Sequence, residues 1–306
     1  MDNLTVVNES VQRYVDILTN SGFKALFSDR NNKDAVMSII NTFLPEHRRV
    51  VDIEYMPTEH QGQTVGSKEY RYDFMCRDAD GVVFIVEMQN YSDSYWFRRC
   101  VSYASRAYDR QNRRGERYDV PPVYLIGLMG TEIRHEDMSQ WENEFVSEYS
   151  FREKRTNELL DETICIIFVE MAKFSKAVHE CQSDVDRMIY LLKNMGRLHN
   201  QPADLQREIY SRIFEACEIA MFDESKRIEY DKDMYDERRY RSELWTARME
   251  GIEEGRQEGR MEGRMEGVSE GKREIASKMI SMGMSDDDIL TVTGLTPEVL
   301  EGLKAM

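Results

Sequence analysis

The chain has 306 residues, of which 41% are hydrophobic and 32% charged, and a formal net charge of −16. The apolar content supports a folded core, and no apolar run approaches the roughly 18 residues that would span a bilayer, so we expect no membrane segment. The acidic balance argues against a protein that coats nucleic acid, although a local basic patch remains compatible with it. Five scattered cysteines form no CxxC pair, which disfavours a zinc site or disulfide framework and predicts a reducing, cytoplasmic location.

The N-terminal part of the chain mixes helix and strand patterns. Apolar residues at helical spacing predict helices, and alternating or continuous apolar runs predict strands. In the one hairpin, the turn sequence DADG offers Gly81 for a positive φ. The predicted elements are a helix over 32–44, a strand over 49–56, a β-hairpin over 69–90, a helix from about Ser94 to Arg114, and strands over 121–130 and 163–171.

Strand patterns stop after residue 183, and the C-terminal part reads as helical throughout. A glycine recurs every four residues from Gly251 to Gly271. This repeat is either a charged, solvated linker or a helical arm that self-associates into a homo-oligomer. The end of the chain predicts a docking or helix-turn-helix-like module of three short helices. Its acidic segment SDDD is poorly suited to reading DNA and favours contact with a protein. The predicted regions are a folded domain over 1–183, a helical extension over 184–248, the repeat over 249–272 and the module over 273–306.

Acidic and amide side chains interrupt the otherwise apolar strands of the predicted hairpin. Glu87 and Gln89 share one face of the second strand, because side chains alternate along a strand. The DADG turn brings Asp73, in the first strand, near Glu87. Two neighbouring carboxylates repel unless a cation lies between them, and two carboxylates, a backbone carbonyl and water suit Mg²⁺. Alternatively, each acid is an ordinary strand-end residue that is solvated or salt-bridged.

Residues 91–118 form a basic segment, with seven arginines against three acids. Helical spacing predicts one exposed stripe, suited to the phosphates of DNA, and a second stripe that faces the sheet. The exposed stripe comprises Arg99, Tyr103, Arg106, Arg110 and Arg113. The stripe predicted to face the sheet comprises Phe97, Val101, Ala104, Tyr108 and Gln111. Alternatively, the arginines form a solvated face that pairs with the protein's own carboxylates.

The spacing Asp73-(x)13-Glu87-x-Gln89 resembles the PD-(D/E)XK nuclease superfamily. It is most similar to the PD-(D/E)XK nuclease family transposases, the recombination-promoting nuclease group. Stretches such as GFKALF, VEMQ and the tyrosine-rich helix that follows carry this resemblance, which covers nearly the whole chain. It implies a restriction-endonuclease-like α/β fold, with a mixed sheet flanked by helices and an all-α C-terminal region. It also implies a DNA endonuclease that depends on Mg²⁺ or Mn²⁺ and is associated with recombination or mobile elements.

The resemblance also assigns roles to single residues. Asp73 and Glu87 would hold the metal ion together with the carbonyl of Met88, and Gln89 would orient the attacking water. The wider superfamily usually has lysine where Gln89 stands, so a positive charge is missing there. Arg71, on the same strand face as Asp73, is the candidate substitute, unless it forms a salt bridge with a neighbouring acid.

Further accessory residues follow from the same family pattern. Asp34, in the first turn of an N-terminal helix, is a candidate for the acid that often completes such sites, with helix capping as its alternative role. Three residues of the basic helix match the pattern and are placed at the rim of the site: Tyr103, Tyr108 and Gln111. A different function also stays open, in which Gln89 makes the site catalytically weak and the protein serves in DNA binding or assembly.

Overall fold

The computed structural model describes residues 12–60, 69–91, 93–113, 115 and 117–304. The chain divides into two compact units, Met1–Glu237 and Arg238–Met306. Residues 1–11 and the predicted helix end at Arg114 lie outside the described residues. No helix within the described ranges is both long and apolar enough to cross a membrane.

The first unit is built on a six-stranded mixed sheet with the order β1-β4-β5-β6-β8-β7. The three central strands β5, β6 and β8 run parallel, whereas the pairs β1–β4, β4–β5 and β7–β8 are antiparallel. A separate antiparallel pair joins β2 and β3. The strands are β1 (Glu54–Tyr55), β2 (Glu59–His60), β3 (Tyr70–Arg71), β4 (Phe74–Arg77), β5 (Val83–Gln89), β6 (Val123–Met129), β7 (Val146–Arg152) and β8 (Leu159–Glu170).

The β4–β5 hairpin has the predicted turn. Gly81 has a φ of +82°, and Asp78 accepts hydrogen bonds through its side chain from the N–H groups of Asp80 and Val82. An aspartate that bonds the backbone two residues on is a stable way to begin a turn. This turn sets the register in which Phe74 lies opposite Val86, and the register in turn decides which residues meet at the open end of the hairpin.

Helices cover the two faces of the sheet unequally. Four helices pack on the face that carries Phe84, Val86, Tyr124 and Ile126. Of the helices in the described part of the chain, α3 alone packs on the face that carries Val83, Ile85, Val123 and Leu125. The helices of the first face are α1 (Asn20–Phe27), α2 (Lys33–Phe43), α4 (Asp184–Asn194) and α5 (Glu208–Cys217), and α3 spans Trp96–Asp109. The predicted α/β class, a mixed sheet flanked by helices and followed by an all-α region, is confirmed.

Two sequence predictions need correction. The strand predicted over 49–56 shortens to β1, and Val51 is 81% exposed. The stripe of α3 that faces the sheet consists of Trp96, Cys100, Ala104 and Ala107, so it is rotated from the predicted one. Small side chains let the helix lie close to the sheet. The larger Phe97 and Val101, whose hydrophobicity predicted that they would face the sheet, are 49% and 38% exposed.

The C-terminal region is helical. Helix α6 (Glu224–Ser281) begins in the first unit and contains the whole glycine repeat, and it is followed by α7 (Asp286–Thr293) and α8 (Pro297–Lys304). Ser285 accepts the Asp288 N–H as the N-cap of α7, and Gly294 ends this helix with a φ of +63°. A small core joins the last three helices: Ala276, Met279, Ile289 and Leu300.

Candidate active site

Asp73 and Glu87 face each other at the open end of the β4–β5 hairpin. The register of Phe74 opposite Val86, extended by one residue on each strand, puts the two acids opposite each other. Two crossed hydrogen bonds lock this arrangement. The Asp73 N–H donates to Glu87 Oε1 at 3.1 Å, and the Met88 N–H donates to Asp73 Oδ2 at 2.9 Å. Each carboxylate is thus held by the backbone of the opposite strand.

The surroundings oppose negative charge on both acids. Glu87 is 3% exposed; desolvation raises its pKa well above the ordinary value, and the Asp73 carboxylate raises it further, against the lowering effects of the Asp73 N–H and Arg99. Asp73 is exposed as a residue, but the atoms packed around its carboxyl group desolvate it and thereby raise its pKa. The hydrogen bond from the Met88 N–H and the charges of Arg99 and Lys24 lower this pKa but do not cancel the rise. Within the described ranges, no lysine, arginine or histidine nitrogen lies within 4.0 Å of either carboxylate. The pair is therefore short of positive charge.

Gln89 is bonded to an arginine of α3. Arg99 donates through Nη2 to Gln89 Oε1 at 2.6 Å and through Nη1 to Asp93 Oδ2 at 3.1 Å. Its guanidinium also lies over the Trp96 ring, 4.6 Å from the centroid. The Gln89 amide nitrogen donates to the Tyr91 carbonyl at 2.5 Å. Both polar ends of the Gln89 side chain are thus engaged, and Arg99 brings a full positive charge to its carbonyl end.

A glycine of the neighbouring strand makes room for α3 beside Glu87. Gly127 of β6 pairs with Glu87 in the parallel ladder. A Cβ atom at this position would lie 2.7 Å from the Phe168 ring and 3.1 Å from the Trp96 ring. The absence of a side chain therefore lets Trp96, and with it the start of α3 and Arg99, lie close to the carboxylate pair.

Arg71 and Asp34 are not joined to this site. Arg71 is exposed, and its ion-pair partner is Glu59 at 4.0 Å. Asp34 forms an ion pair with Arg212 at 3.1 Å, and its helix α2 packs on the opposite face of the sheet. Among the described residues, neither forms a hydrogen bond or ion pair with the carboxylate pair. The arginine that lies next to Gln89 is Arg99 of α3.

The three family-pattern residues, two in α3 and Gln111 just after its end, make mainly packing and structural contacts. Tyr103 packs edge-on against the rings of Tyr70 and Tyr72, with centroids 5.7 and 5.1 Å away. Tyr108 is half-buried at the edge of the same core. Gln111 donates to the Pro121 carbonyl at 2.9 Å, which ties the end of α3 to the approach of β6.

The four arginines predicted to contact DNA have different environments. Arg99 is bonded to Gln89, as described above. The side chain of Arg106 is only 18% exposed and pairs with Asp109 at 3.1 Å. Arg110 and Arg113 are exposed, and they are therefore the members of the stripe that present their charge to solvent.

Comparison with protein families decides the identity of the chain. Residues 18–247 match the model of the PD-(D/E)XK nuclease family transposases. The chain belongs to this family. In this transposase-family nuclease, residues 269–305 also match the C-terminal HTH domain of the Rpn/YhgA-like nuclease family, in the region predicted to be helix-turn-helix-like. Searches among curated proteins and among solved structures give no match. The predicted family resemblance is thereby confirmed.

The oxygen atoms of the Asp73–Glu87 pair fit a divalent cation. PD-(D/E)XK nucleases generally use divalent metals. Across the described part of the chain, no group of three or more His, Cys, Asp or Glu side chains could hold a metal, so Asp73 and Glu87 would have to be completed by a backbone carbonyl and non-protein oxygens. This combination suits Mg²⁺, which is usually bound by one or two carboxylates, several waters and substrate phosphate.

Sequence reasoning missed two cations near the pair. It considered Arg99 only as a DNA contact, although the i, i+3 spacing of Trp96 and Arg99 places both on one helix face. It also passed over Lys24 of α1, which lowers the pKa of Asp73 and forms an ion pair with Asp233 at 4.0 Å. The quoted stretch GFKALF contains this lysine, but no spacing rule links a helix that far upstream to the hairpin.

We predict that Glu87→Gln stabilises the metal-free protein. The amide can still accept the Asp73 N–H, while the repulsion between the two facing carboxylates is removed. The free energy of unfolding in chelator should rise by roughly 1–3 kcal/mol, the scale of the cost of a buried carboxylate that faces a second acid without a counter-ion. Urea denaturation followed by circular dichroism measures it. The control Glu158→Gln alters an exposed acid and should change stability by less than about 0.5 kcal/mol. A destabilised Glu87→Gln protein would contradict the electrostatic account.

Proposed function

We propose that the protein is a metal-dependent DNA endonuclease that hydrolyses phosphodiester bonds. The observation that carries this proposal is the Asp73–Glu87 pair, two carboxylates locked face to face on adjacent strands with no described cation within 4.0 Å. A structural ion pair would contain its own cation. A pair that lacks one is instead prepared for a cation that arrives with water and a phosphate group.

The metal ion would be Mg²⁺ or Mn²⁺, held by Asp73, Glu87 and the carbonyl of Met88. When bound, such an ion acidifies a water molecule and stabilises negative charge on a phosphate. The protein residues then have two tasks. The crossed backbone hydrogen bonds keep the two carboxylates in place before the ion binds, and Gln89 orients the attacking water through the amide hydrogen that is not donated to Tyr91.

Arg99 compensates for the missing lysine of the superfamily. Glutamine cannot supply positive charge, but the guanidinium bonded to Gln89 Oε1 at 2.6 Å can. Asp93 and the Trp96 ring hold the guanidinium in this orientation. A fixed positive charge next to the site stabilises the negative charge that develops on phosphate during hydrolysis. In this proposal Arg99 therefore serves the chemistry, and the exposed Arg110 and Arg113 contact the DNA backbone.

DNA as the partner is supported by the nuclease family and by the HTH domain that the second family model describes. The family description also supports an association with recombination or mobile elements. All five cysteines are buried and free, which supports the proposed cytoplasmic location. Self-association through the glycine repeat stays a prediction.

Plasmid nicking tests the proposed activity. The full chain should nick supercoiled DNA with Mg²⁺ or Mn²⁺ and should be inactive in chelator. Asp73→Ala and Glu87→Ala should each abolish nicking, because one remaining carboxylate gives the ion too few oxygen ligands. Glu59→Ala, at an exposed acid on β2, is the control that should keep full activity. If folded wild-type protein binds DNA but does not nick it with either ion, the alternative of a DNA-binding or assembly protein is favoured.

A comparison of two arginines tests the source of the positive charge. Arg99→Gln should lower kcat by roughly ten- to a thousand-fold, the scale for losing one charge-stabilising donor, with little change in KM. Arg99→Lys should recover part of the loss, since lysine keeps the charge but lacks the planar fork that bonds Gln89 and Asp93 together. Arg71→Gln, which removes the other candidate, should leave kcat unchanged. Equal losses for Arg71→Gln and Arg99→Gln would refute the assignment.

A further inference from the structure

A cavity opens beside the candidate active site, at the carboxyl ends of the parallel strands. Its volume is about 580 Å³, within the usual range for sites that bind small organic groups. Gln89 and Met129, the last residues of β5 and β6, both line it and are partners in the parallel ladder. Because Gln89 lines the cavity and lies two residues after Glu87 on β5, the cavity adjoins the Asp73–Glu87 site.

Aromatic rings form the apolar wall of this cavity. Trp96, Phe97, Tyr149 and Phe168 all line it. Phe97 of α3 packs against Tyr149 of β7 and Phe168 of β8, with ring centroids 5.8 and 6.2 Å apart. Although it belongs to this cluster, Phe97 is 49% exposed. The cluster therefore presents an exposed aromatic surface to the cavity.

Polar groups surround the rings. Thr131, Glu132 and Arg134, from the segment after β6, also line the cavity. The buried indole N–H of Trp96 has no hydrogen-bond partner among the described residues. Such a site fits a flat ring whose faces are apolar and whose edges donate and accept hydrogen bonds. Nucleobases have this chemistry, and they stack on aromatic side chains whatever their sequence.

We propose that the cavity receives an unpaired base of the DNA strand whose backbone passes the Asp73–Glu87 pair. This inference rests on the proposed nuclease function and specifies its substrate. Two residues of strand separate the Cα atoms of Glu87 and Gln89 by about 7 Å, so the cavity lies within reach of a nucleotide next to a phosphate at the carboxylate pair. A base inside a duplex cannot enter such a cavity, because it must first leave the stack.

The inferred substrate is therefore DNA that is single-stranded or contains an unpaired base. Extrusion of a base from an intact duplex costs free energy, and this cost is smallest where the base is already unpaired. The protein should then bind and cut strands with unpaired bases in preference to perfect duplexes. Arg99, which bonds Gln89 and lies over the Trp96 ring, would lie between the scissile phosphate and the base.

The test uses the full chain and an oligonucleotide duplex with a single unpaired 2-aminopurine. Binding is measured in chelator, so that the strand stays intact, by anisotropy and by the fluorescence of the base. Wild-type protein should quench the 2-aminopurine and should bind the unpaired duplex more tightly than the perfect one. Phe97→Ala should weaken binding to the unpaired duplex by roughly five- to 150-fold, the effect of losing one base–aromatic stack, and should leave binding to the perfect duplex unchanged.

Two further variants separate stacking from folding. Phe97→Trp keeps an aromatic surface and should retain the preference for the unpaired base. Phe151→Ala removes an aromatic ring that is 57% exposed on β7 but does not line the cavity, and it should have no effect. Equal binding of the two duplexes by the wild type, or an unchanged preference in Phe97→Ala, would overturn the inference. If the wild-type protein still nicks DNA in that case, only the base site is refuted. If the wild-type protein neither binds nor nicks DNA, the proposed function is refuted as well.

Discussion

The repulsion between two carboxylates on adjacent strands is the interaction on which the candidate site depends. Asp73 and Glu87 are brought together by the hairpin register and are fixed by crossed hydrogen bonds to backbone N–H groups. Folding energy elsewhere must offset the cost of holding two carboxyl groups face to face where desolvation disfavours their charged forms. Strain of this kind is characteristic of functional sites, where stability is lost for the sake of chemistry. A bound divalent cation would remove the repulsion.

The residues around this pair place a positive charge nearby that forms no ion pair with either acid. Gly127 lets Trp96 approach the sheet, and Trp96 supports the guanidinium of Arg99. Arg99 donates its hydrogen bond to Gln89 and not to Asp73 or Glu87. A direct salt bridge would compete with a metal ion for a carboxylate oxygen. In this geometry no described arginine occupies the carboxylate oxygens of Asp73 and Glu87. Arg99 is separated from them by Gln89, to which it is hydrogen-bonded.

Much of this architecture was predictable from local sequence patterns. The DADG turn fixes the hairpin register, and the register puts Asp73 opposite Glu87. The continuous apolar runs over 121–130 and 163–171 predict central strands buried on both faces, and β6 and β8 are such strands. These features depend on alternation and turn chemistry, which act over a few residues and can be read directly.

The remaining features depend on packing between distant segments, which no local pattern encodes. The small side chains of Cys100 and Ala107 allow α3 to approach the sheet closely, and they therefore decide which face of the helix is buried. Hydrophobicity alone predicts that Phe97 would be on that face. Strand alternation placed Arg71 on the same face as Asp73 and so predicted it near the site. However, Arg71 lies on β3, which pairs with β2 and not with the main sheet, and its side chain forms an ion pair with Glu59 of β2. Asp34 satisfied the rule for a first-turn helical acid, yet the chain path puts α2 on the other face.

Direct measurement of metal binding to the DNA-free protein tests the central claim, because it requires no assumption about substrate. Electron paramagnetic resonance of Mn²⁺ titrated with the full chain distinguishes free from bound ion. The facing carboxylates should bind Mn²⁺, and Mg²⁺ should displace it. The double variant Asp73→Asn, Glu87→Gln should retain its fold and lose this binding. Binding of Mn²⁺ with unchanged affinity by the double variant would contradict the account, and so would its absence from the wild type.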